Sequence, residues 1–294
     1  METFIQQVVN ALSLGGTYAL LALGLAIVYS ILNLINFAHG ELMTITGYVL
    51  YFTVAADFPF ALAVVCGVVG ATIAAVAMER IAFRPLRGQG VATLLLSSFA
   101  VSLILQILFQ DLISTRPKAV PIPDWLGSSI EVAGIQVGAI QAVSAVTALV
   151  MLVLLTAFLN RTTPGLSIRA AAQDFDVTRL MGIKANKVVA TSFALSGLLA
   201  GVAGVLWVAQ RGSVDPAMGL LPVIKAFIAT TIGGLGSLSG AVIGGFILGA
   251  IEVMLQAYLP DGALPYRDAI ALLIVVVIIV VRPHGLVGRP AETV

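Results

Sequence analysis

Long apolar stretches repeat along this chain of 294 residues, and they constrain its fold more than any other feature. A helix rises about 1.5 Å per residue, so about 20 apolar residues cross the roughly 30 Å of hydrocarbon in a bilayer. Inside lipid, such runs satisfy their backbone hydrogen bonds as helices. Because two of the windows are short, the pattern predicts an all-α polytopic membrane protein with eight or nine transmembrane helices, some short or broken. The windows cover residues 8–32, 41–56, 60–79, 91–113, 137–159, 188–209, 222–235, 238–259 and 266–281.

The composition fits one membrane-embedded unit over residues 1–294 and argues against several functions. Hydrophobic residues make up 60% and charged residues 10%, whereas about a quarter of the residues in a soluble domain are charged. The single cysteine, Cys66, rules out an intrachain disulfide framework. The basic residues are spread over loops, which argues against nucleic acid as a partner. The sequence has no Walker loop, and His39 and His284 have no neighbours at metal-ligand spacing. We therefore predict no enzymatic activity, no cofactor and no metal.

The distribution of Lys and Arg assigns the two sides of the membrane. Ten of the fifteen fall in segments that share one side when the windows are threaded through a bilayer. The positive-inside rule makes that side cytoplasmic. The C-terminus is then cytoplasmic. If both of the first two windows cross the membrane, the number of crossings places Met1 on the outside. The first thirty residues lack the basic start of a signal peptide, so we expect them to remain as a transmembrane helix.

The longest polar interruption, residues 160–187, is predicted to be a cytoplasmic loop. Its middle, residues 166–181, lacks Gly and Pro and is rich in helix formers, so we expect one helix there. The Thr-Pro-Gly sequence at 163–165 is typical of a turn, and Gly182 can end the helix as a C-cap. Such a helix at the membrane surface indicates docking of a partner, although a merely solvated basic face is the alternative. The predicted polar contacts are Arg169, Asp174 and Arg179.

A polar segment separates the first two apolar windows. It carries two amides, an imidazole and a carboxylate, and such groups do not face lipid. The window that follows is short, which indicates a helix broken within the membrane. The N-terminus of a half-helix has partial positive charge and suits an anionic group. A tight cytoplasmic turn is the alternative. The candidate residues for a translocation pathway are Asn33, Asn36, His39 and Glu41.

A second break, at residues 232–240, is rich in glycine and again follows a short window. Gly236, Gly240 and Gly244 repeat at a spacing of four, which lets helices approach closely. We expect these glycines to pack against another helix rather than line a pathway.

Three ionisable residues fall inside or beside apolar windows, namely Lys225, Glu252 and Glu79. A charge in hydrocarbon needs a partner or an exit to the interface. We interpret each as part of a structural ion pair or a helix cap.

Four motifs, in this order, resemble those of permeases from high-affinity branched-chain amino acid ABC importers. The first is residues 36–41 (NFAHGE), followed by Gly47-Tyr48. The second is the loop, which resembles the family's ATPase-coupling loop although it departs from the Glu-Ala-Ala-x-x-x-Gly form of many importers. The others are residues 233–241 (GGLGSLSGA) and the tail, residues 282–288 (RPHGLVG). The residues assigned to this coupling loop are Gly165, Arg169, Ala172, Asp174, Arg179 and Gly182.

This resemblance spans nearly the whole chain and implies a set of partners. The chain would pair as a heterodimer with a second, homologous permease in the bacterial inner membrane. Two cytoplasmic ATPases would bind it and supply energy, and a periplasmic solute-binding protein would deliver the solute. The resemblance implies branched-chain amino acids as that solute, with urea or other amides as the alternative among related permeases.

Two other classes of protein fit the composition. An ion-coupled secondary transporter would need buried acidic residues in more than one helix, and only Glu41 and Glu252 qualify. A passive channel could use the two breaks as a pore. Genes for an ATPase and a binding protein beside this one would exclude both.

Overall fold

The computed structural model describes residues 2–132, 135–283 and 285–287, and it places the apolar windows in helices. In chain order, the α-helices of the described residues are α1 (Glu2–Leu32), α2 (His39–Ala55), α3 (Phe60–Met78), α4 (Val91–Leu112), α5 (Asp124–Gly127), α6 (Ala139–Arg161), α7 (Thr163–Gln173), α8 (Phe175–Leu180), α9 (Ala185–Arg211), α10 (Leu220–Gly233), α11 (Leu238–Tyr258) and α12 (Arg267–Val281). A π-helical turn (Glu79–Phe83) and a 3-10 turn (Arg84–Leu86) extend α3, and a 3-10 helix (Asp261–Tyr266) precedes α12.

Within the described residues, seven helical stretches are long and apolar enough to cross a membrane. The remaining two windows correspond to α2, with 17 residues, and to the shorter apolar helix α10, with 14 residues. The prediction of an all-α polytopic membrane protein with some short helices is therefore confirmed. The short window that follows the polar segment corresponds to α2, and the short window that precedes the glycine-rich break corresponds to α10. Both are about half as long as the 31-residue α1, so we call them the half-length helices.

Helices α1 and α9 form the centre of the bundle, whereas α4 and α12 lie at its periphery. In the most apolar stretch of each span, 89% is buried for α1 and 67% for α9, against 17% for α4 and 11% for α12. Glycines permit the close central packing: a Cβ on Gly249 of α11 would collide with the backbone of Gly15 in α1. A Cβ on Gly197 of α9 would lie 2.5 Å from the Cβ of Ala75 in α3. The apolar outer faces of α4 and α12 remain available to lipid or another chain.

Antiparallel neighbours define two ends of the bundle. Gln210 Nε2, at the end of α9, donates to Ser13 Oγ in α1 at 3.3 Å, so the start of α1 lies beside the end of α9. We call this the far end. Leu32, where α1 finishes, lines the same cleft as Phe175 of α8 at the opposite end, which we call the loop end.

The described part of the tail also lies at the loop end. Leu286 N donates to Ile232 O at 2.9 Å and Val287 N donates to Gly233 O at 3.1 Å, which fixes the tail on the end of α10. The turn that follows α10 reaches Tyr29, near the end of α1. His284 and Gly288 of the tail motif lie outside the described residues.

Four short strands organise the far end: β1 (Lys118–Ala119), β2 (Ser129–Val132), β3 (Ile135–Gly138) and β4 (Ser213–Val214). β1 pairs antiparallel with β4, which places Lys118 opposite Val214, and β2 pairs antiparallel with β3. The first pair ties the long loop after α4 to the segment that leaves α9. This far-end anchor positions the chain for its return into the bundle before α10.

The loop of residues 160–187 contains two helices, so the prediction of one helix over 166–181 is wrong. The break lies at Asp174, whose backbone is extended (φ −153°, ψ 109°). Its Oδ1 accepts a hydrogen bond from Val177 N at 2.9 Å and caps α8. A short acidic side chain competes with the helix for backbone donors, and this favours a cap over a helix interior. Gly182 follows α8 with φ 81°, the left-handed conformation of a C-cap.

The loop begins with a tight reversal after α6. Thr162 Oγ1 accepts from Gly165 N at 3.1 Å and caps α7. Gly165 is buried, and a Cβ there would collide with the carbonyl of Phe158 and the backbone of Leu159. Glycine therefore lets α7 fold back directly onto the end of α6.

The glycines of the second break do not form one helical ridge. Gly236 lies in the turn before α11 and has a φ of 84°. It falls outside the helix because the N-cap is the next residue, Ser237, whose Oγ accepts a hydrogen bond from Gly240 N at 3.0 Å. Gly240 and Gly244 lie on the face of α11 that contacts α10: a Cβ at these positions would collide with the carbonyls of Gly233 and Ala229, respectively. The spacing of four therefore includes one turn residue, which needs glycine for its backbone angle.

Candidate functional site

The two half-length helices begin at one point inside the bundle. A Cβ on Gly40, in the first turn of α2, would collide with the carbonyl of Gly219 at the start of α10, and the reverse holds as well. Beside them, His39 packs on α1 at Gly24, where a Cβ would lie 2.6 Å from His39 Cε1. Gly24 precedes the end of α1 at Leu32 by two helical turns, or roughly 12 Å. The N-termini of α2 and α10 therefore meet well inside the loop end of the bundle.

This meeting point has the electrostatics of two helix N-termini. Neither Ala38 before α2 nor Gly219 before α10 makes a side-chain capping bond. Each helix adds partial positive charge at its start. Glu41 lies in the first turn of α2, where a carboxylate is favoured. The arrangement can attract an anionic group while Glu41 offers acceptors to a cationic one.

Glu41 is fully buried and only half satisfied. Its Oε1 accepts from Ser102 Oγ at 2.9 Å and from Gln106 Nε2 at 2.8 Å, both on α4. Its Oε2 has no partner in the described part of the chain. Sequence reasoning missed the two α4 residues, although a signal exists. The buried positions of this otherwise apolar helix recur every four residues, at Leu94, Ser98, Ser102 and Gln106.

Other polar side chains near the start of α2 are also buried and incompletely bonded. His39 Nδ1 lies 3.0 Å from Ser196 Oγ of α9, and Asn36 Nδ2 lies 3.9 Å from Met78 Sδ. Among the described residues, Asn36 Oδ1, His39 Nε2 and Thr44 Oγ1 have no partner. A buried unpaired polar group costs about 1–3 kcal/mol, so several in one place are unusual and mark this point as a candidate site.

Asn33 lies apart from the other three candidates. It is exposed at the loop end and adopts φ 51°, a left-handed conformation that asparagine tolerates. Its N–H bonds to Tyr29 O at 2.8 Å, which ends α1. The structure therefore brings Asn36, His39 and Glu41 together in the interior and places Asn33 at the loop-end turn that sends the chain back inside.

A second buried cluster joins three helices. Lys225 Nζ of α10 lies 2.8 Å from Glu252 Oε1 of α11, and the Tyr18 hydroxyl of α1 donates to Glu252 Oε2 at 2.9 Å. A separate ion pair joins Glu79 to Arg87, and Nη1 of Arg87 also donates a hydrogen bond to Asn186 Oδ1 at 2.7 Å. The prediction that these residues form structural ion pairs is confirmed. The Lys225–Glu252 pair holds the half-length α10 against α11.

The residues singled out in the loop are mostly exposed. Arg169 and Arg179 point outward, and Arg179 makes only a 3.7 Å ion pair with exposed Asp176. Ala172 is half-buried. Next to them, α8 and its C-cap residue expose apolar side chains that sequence reasoning did not select, namely Val177, Leu180 and Met181. Leu180 is 86% exposed, so α8 presents an apolar tip with a basic rim.

A bundle of apolar helices with an incompletely bonded polar interior and two half-helices is the architecture of a membrane transport protein. The chain belongs to the family described as branched-chain amino acid transport system, permease component, whose model matches residues 7–281. The resemblance inferred from the motifs is therefore confirmed.

Individual relatives agree with the family match. The high-affinity branched-chain amino acid transport system permease protein LivH of Salmonella typhimurium is 36% identical, over 98% of this chain and 96% of the relative. LivH of Escherichia coli K12 is 35% identical with the same coverage. The permease protein BraD of Pseudomonas aeruginosa is 33% identical, also over 98% of this chain and 96% of its own length. The match therefore covers the helices, the loop and both breaks.

Proposed function

We propose that this chain is the permease subunit of a binding-protein-dependent ABC importer in the bacterial inner membrane. In this proposal it forms a translocation pathway for branched-chain amino acids, and partner subunits hydrolyse ATP. The observation that carries the proposal is the family match over residues 7–281, supported by relatives named as permeases of that transport system. It favours an importer subunit over the secondary transporter and the channel.

The proposed assembly has four kinds of component. This chain, acting as one transmembrane unit over residues 1–294, pairs with a second, homologous permease. Two ATPases bind at the loop end, which is then cytoplasmic together with the tail. A periplasmic solute-binding protein docks at the far end and selects the solute. The urea or amide alternative is tested by measuring which solute that binding protein retains.

The interior cluster is proposed to line the pathway. An amino acid in transit carries a carboxylate and an ammonium group, and each needs a transient partner in a low-dielectric interior. The N-termini of α2 and α10 suit the carboxylate, while Glu41 Oε2 and Asn36 Oδ1 are acceptors without partners for the ammonium group. These contacts between the cluster and the solute are few, so the solute binds weakly enough to dissociate from the cluster and continue along the pathway.

We expect Glu41→Gln and Asn36→Ala to slow ATP-driven uptake about tenfold, because each change removes one polar contact worth roughly 1.4 kcal/mol in the interior. The solute affinity of the binding protein should stay unchanged. Ser97→Ala is the matched control, since Ser97 is half-buried on α4 beside the buried Ser98, and its hydroxyl donates within its own helix, to Thr93 O at 2.8 Å. Initial uptake rates in proteoliposomes measure the effect.

Cysteine labelling separates a pathway from a structural cap. In a Cys66→Ser background, single cysteines at positions 36, 39 and 41 should react with a small water-soluble thiol reagent in at least one transport state. Failure of all three to react with and without ATP would assign the cluster to structure and place the pathway elsewhere.

Helices α7 and α8 are proposed to be the coupling element that docks on an ATPase. The exposed apolar tip at Val177, Leu180 and Met181 can bury in a partner surface, and Arg169 and Arg179 can pair with acidic groups around it. Such a central apolar contact with a charged rim is typical of protein interfaces. When ATP closes the two ATPases, their movement would then shift the equilibrium between two conformations of the permease.

We expect charge reversal at both Arg169 and Arg179 to uncouple ATP hydrolysis from uptake, lowering transport at least tenfold while membrane insertion remains normal. Two reversed rim charges turn attraction into repulsion across the contact. Reversal of Arg80 and Arg84, which are exposed at the same end but outside the loop, is the matched control. Wild-type uptake by the loop variant would show that these charges only face solvent. ATPase activity and uptake measured on the same vesicles decide the outcome.

A further inference from the structure

The loop end contains an open cleft of about 930 Å³ between the loop helix α8 and the bundle. Its walls are the end of α1, the segment between α3 and α4, the loop helix α8 and the start of α9. Four basic residues line it, namely Arg87, Arg179, Lys184 and Lys187, and Asp176 is the acidic residue among the described lining. Because Arg87 pairs with Glu79 and Arg179 pairs with Asp176, the positive charge of the cleft comes mainly from the two lysines.

These basic residues differ in how far they are already neutralised. Arg87 is engaged by Glu79 and by Asn186, so it is part of the wall. Lys184 and Lys187 are exposed, and neither makes an ion pair within the described residues. Lys184 is also the N-cap of α9 and makes no side-chain capping bond. The start of this 27-residue helix adds its partial positive charge to that of the two lysines.

The floor of the cleft is apolar. Leu34, Phe83 and Leu94 form part of it, and Val91 begins α4 at its edge. Helix α4 has 22 residues, or roughly 33 Å, so its first residues lie where the hydrocarbon meets the headgroups. Its outward face is largely exposed and apolar, as at Leu96 and Leu103. The lining thus combines apolar residues that lie next to the start of α4 with basic residues from α8 and the start of α9.

We propose that this cleft binds the phosphate headgroup of an anionic membrane lipid. Lys184, Lys187 and Arg179 surround the phosphate, and the acyl chains lie along the apolar floor toward α4. Phosphate accepts charge-assisted hydrogen bonds from lysine and arginine, and basic pockets between transmembrane helices at this level of the bilayer suit such headgroups. The apolar floor favours a lipid over a free phosphate ion, because a phosphate ion has no apolar part that could cover this floor.

A bound headgroup joins the loop to the bundle. Phe175 and Arg179 belong to α8, whereas Lys184 and Lys187 lie just before and within the start of α9. A phosphate between them holds α8 in a fixed place relative to α9. The lipid composition of the membrane therefore sets the position of the loop helices.

The test measures how firmly the purified full-length chain retains phosphatidylglycerol against phosphatidylcholine, by native mass spectrometry from mixed-lipid nanodiscs. Lys184→Gln with Lys187→Gln should weaken retention of phosphatidylglycerol about 30-fold, since each lysine at a lipid surface contributes on the order of one kcal/mol. Lys184→Arg with Lys187→Arg keeps the charge and should retain the lipid, which separates loss of charge from loss of fold. Arg116→Gln with Lys118→Gln removes two charges at the far end and should have no effect.

Two results would overturn the proposal. One is equal retention of phosphatidylglycerol by the wild type and the Lys184→Gln/Lys187→Gln variant. The other is displacement of the lipid by inorganic phosphate at comparable concentration, which would assign the cleft to a soluble anion. Neither result depends on transport or on a partner subunit, so failure here is distinguishable from failure of the proposed function.

Discussion

Glu252→Gln should destabilise the folded chain by about 3–5 kcal/mol, because it removes one partner of a buried ion pair and leaves the other charged. Lys225 Nζ lies within 2.9 Å of both carboxylate oxygens of Glu252, and the side chain of Glu252 is only 6% exposed. The Tyr18 hydroxyl loses its acceptor charge at the same time. Three helices meet at this carboxylate, so α10 should detach first. The free energy of unfolding in detergent, obtained by denaturant titration, measures the change.

Asp268→Asn is the matched control for this prediction. Asp268 also lies near Lys225, at 3.7 Å, but its side chain is 63% exposed, so its loss should cost less than about 1 kcal/mol. Adding Lys225→Met to Glu252→Gln should recover part of the lost stability, since no unpaired charge remains. A Glu252→Gln variant as stable as the wild type would mean that the buried pair contributes nothing to holding α10.

Gly240→Leu should abolish the folded subunit, with a cost above the roughly 1–3 kcal/mol typical of overpacking. The obstacle is backbone: a Cβ at this position collides with the carbonyl of Gly233 in α10, and a carbonyl cannot rotate away as a side chain can. Gly240→Ala should already reduce the yield, since the collision begins with the first carbon. The yield of monodisperse protein from membranes measures both effects.

Gly262→Leu provides the control, since a Cβ on Gly262, which precedes α12, would meet no atom within 4 Å, and its backbone angle is not strained. This variant should give a normal yield. The contact of Gly240 lies within one chain, so the loss should occur in the isolated subunit, before it meets a second permease. Normal yield of the isolated Gly240→Leu subunit would place this face of α11 in open space.

Much of the site could be predicted only as a set of residue types. The polar segment at 33–41 was recognisable because amides, a histidine and a carboxylate interrupt an apolar sequence. The sequence could not separate Asn33, exposed at the loop end, from Asn36, which is buried. It also identified no partner for Glu41, because Ser102 and Gln106 lie some sixty residues away on another helix. The spacing of four in α4 marks a polar face but not what that face contacts.

The sequence by itself determined the class of this protein. Its apolar windows had to become helices, because lipid offers backbone groups no other partner, and the polar loop had to remain outside the hydrocarbon. The two short windows were recognisable as well, since they have fewer than the roughly 20 apolar residues of a full crossing. Glycine at 182 ended a helix as predicted, since its left-handed backbone is set locally.

Only the tertiary structure decided what these helices do to one another. The starts of α2 and α10 meet because Gly40 and Gly219, far apart in the chain, let two backbones touch. Lys225 became the partner of Glu252 because α10 packs antiparallel on α11, and the basic cleft formed because α8 folds back beside the end of α1. Periodicity reports the face that a helix buries, whereas the neighbour that covers this face depends on packing between distant segments.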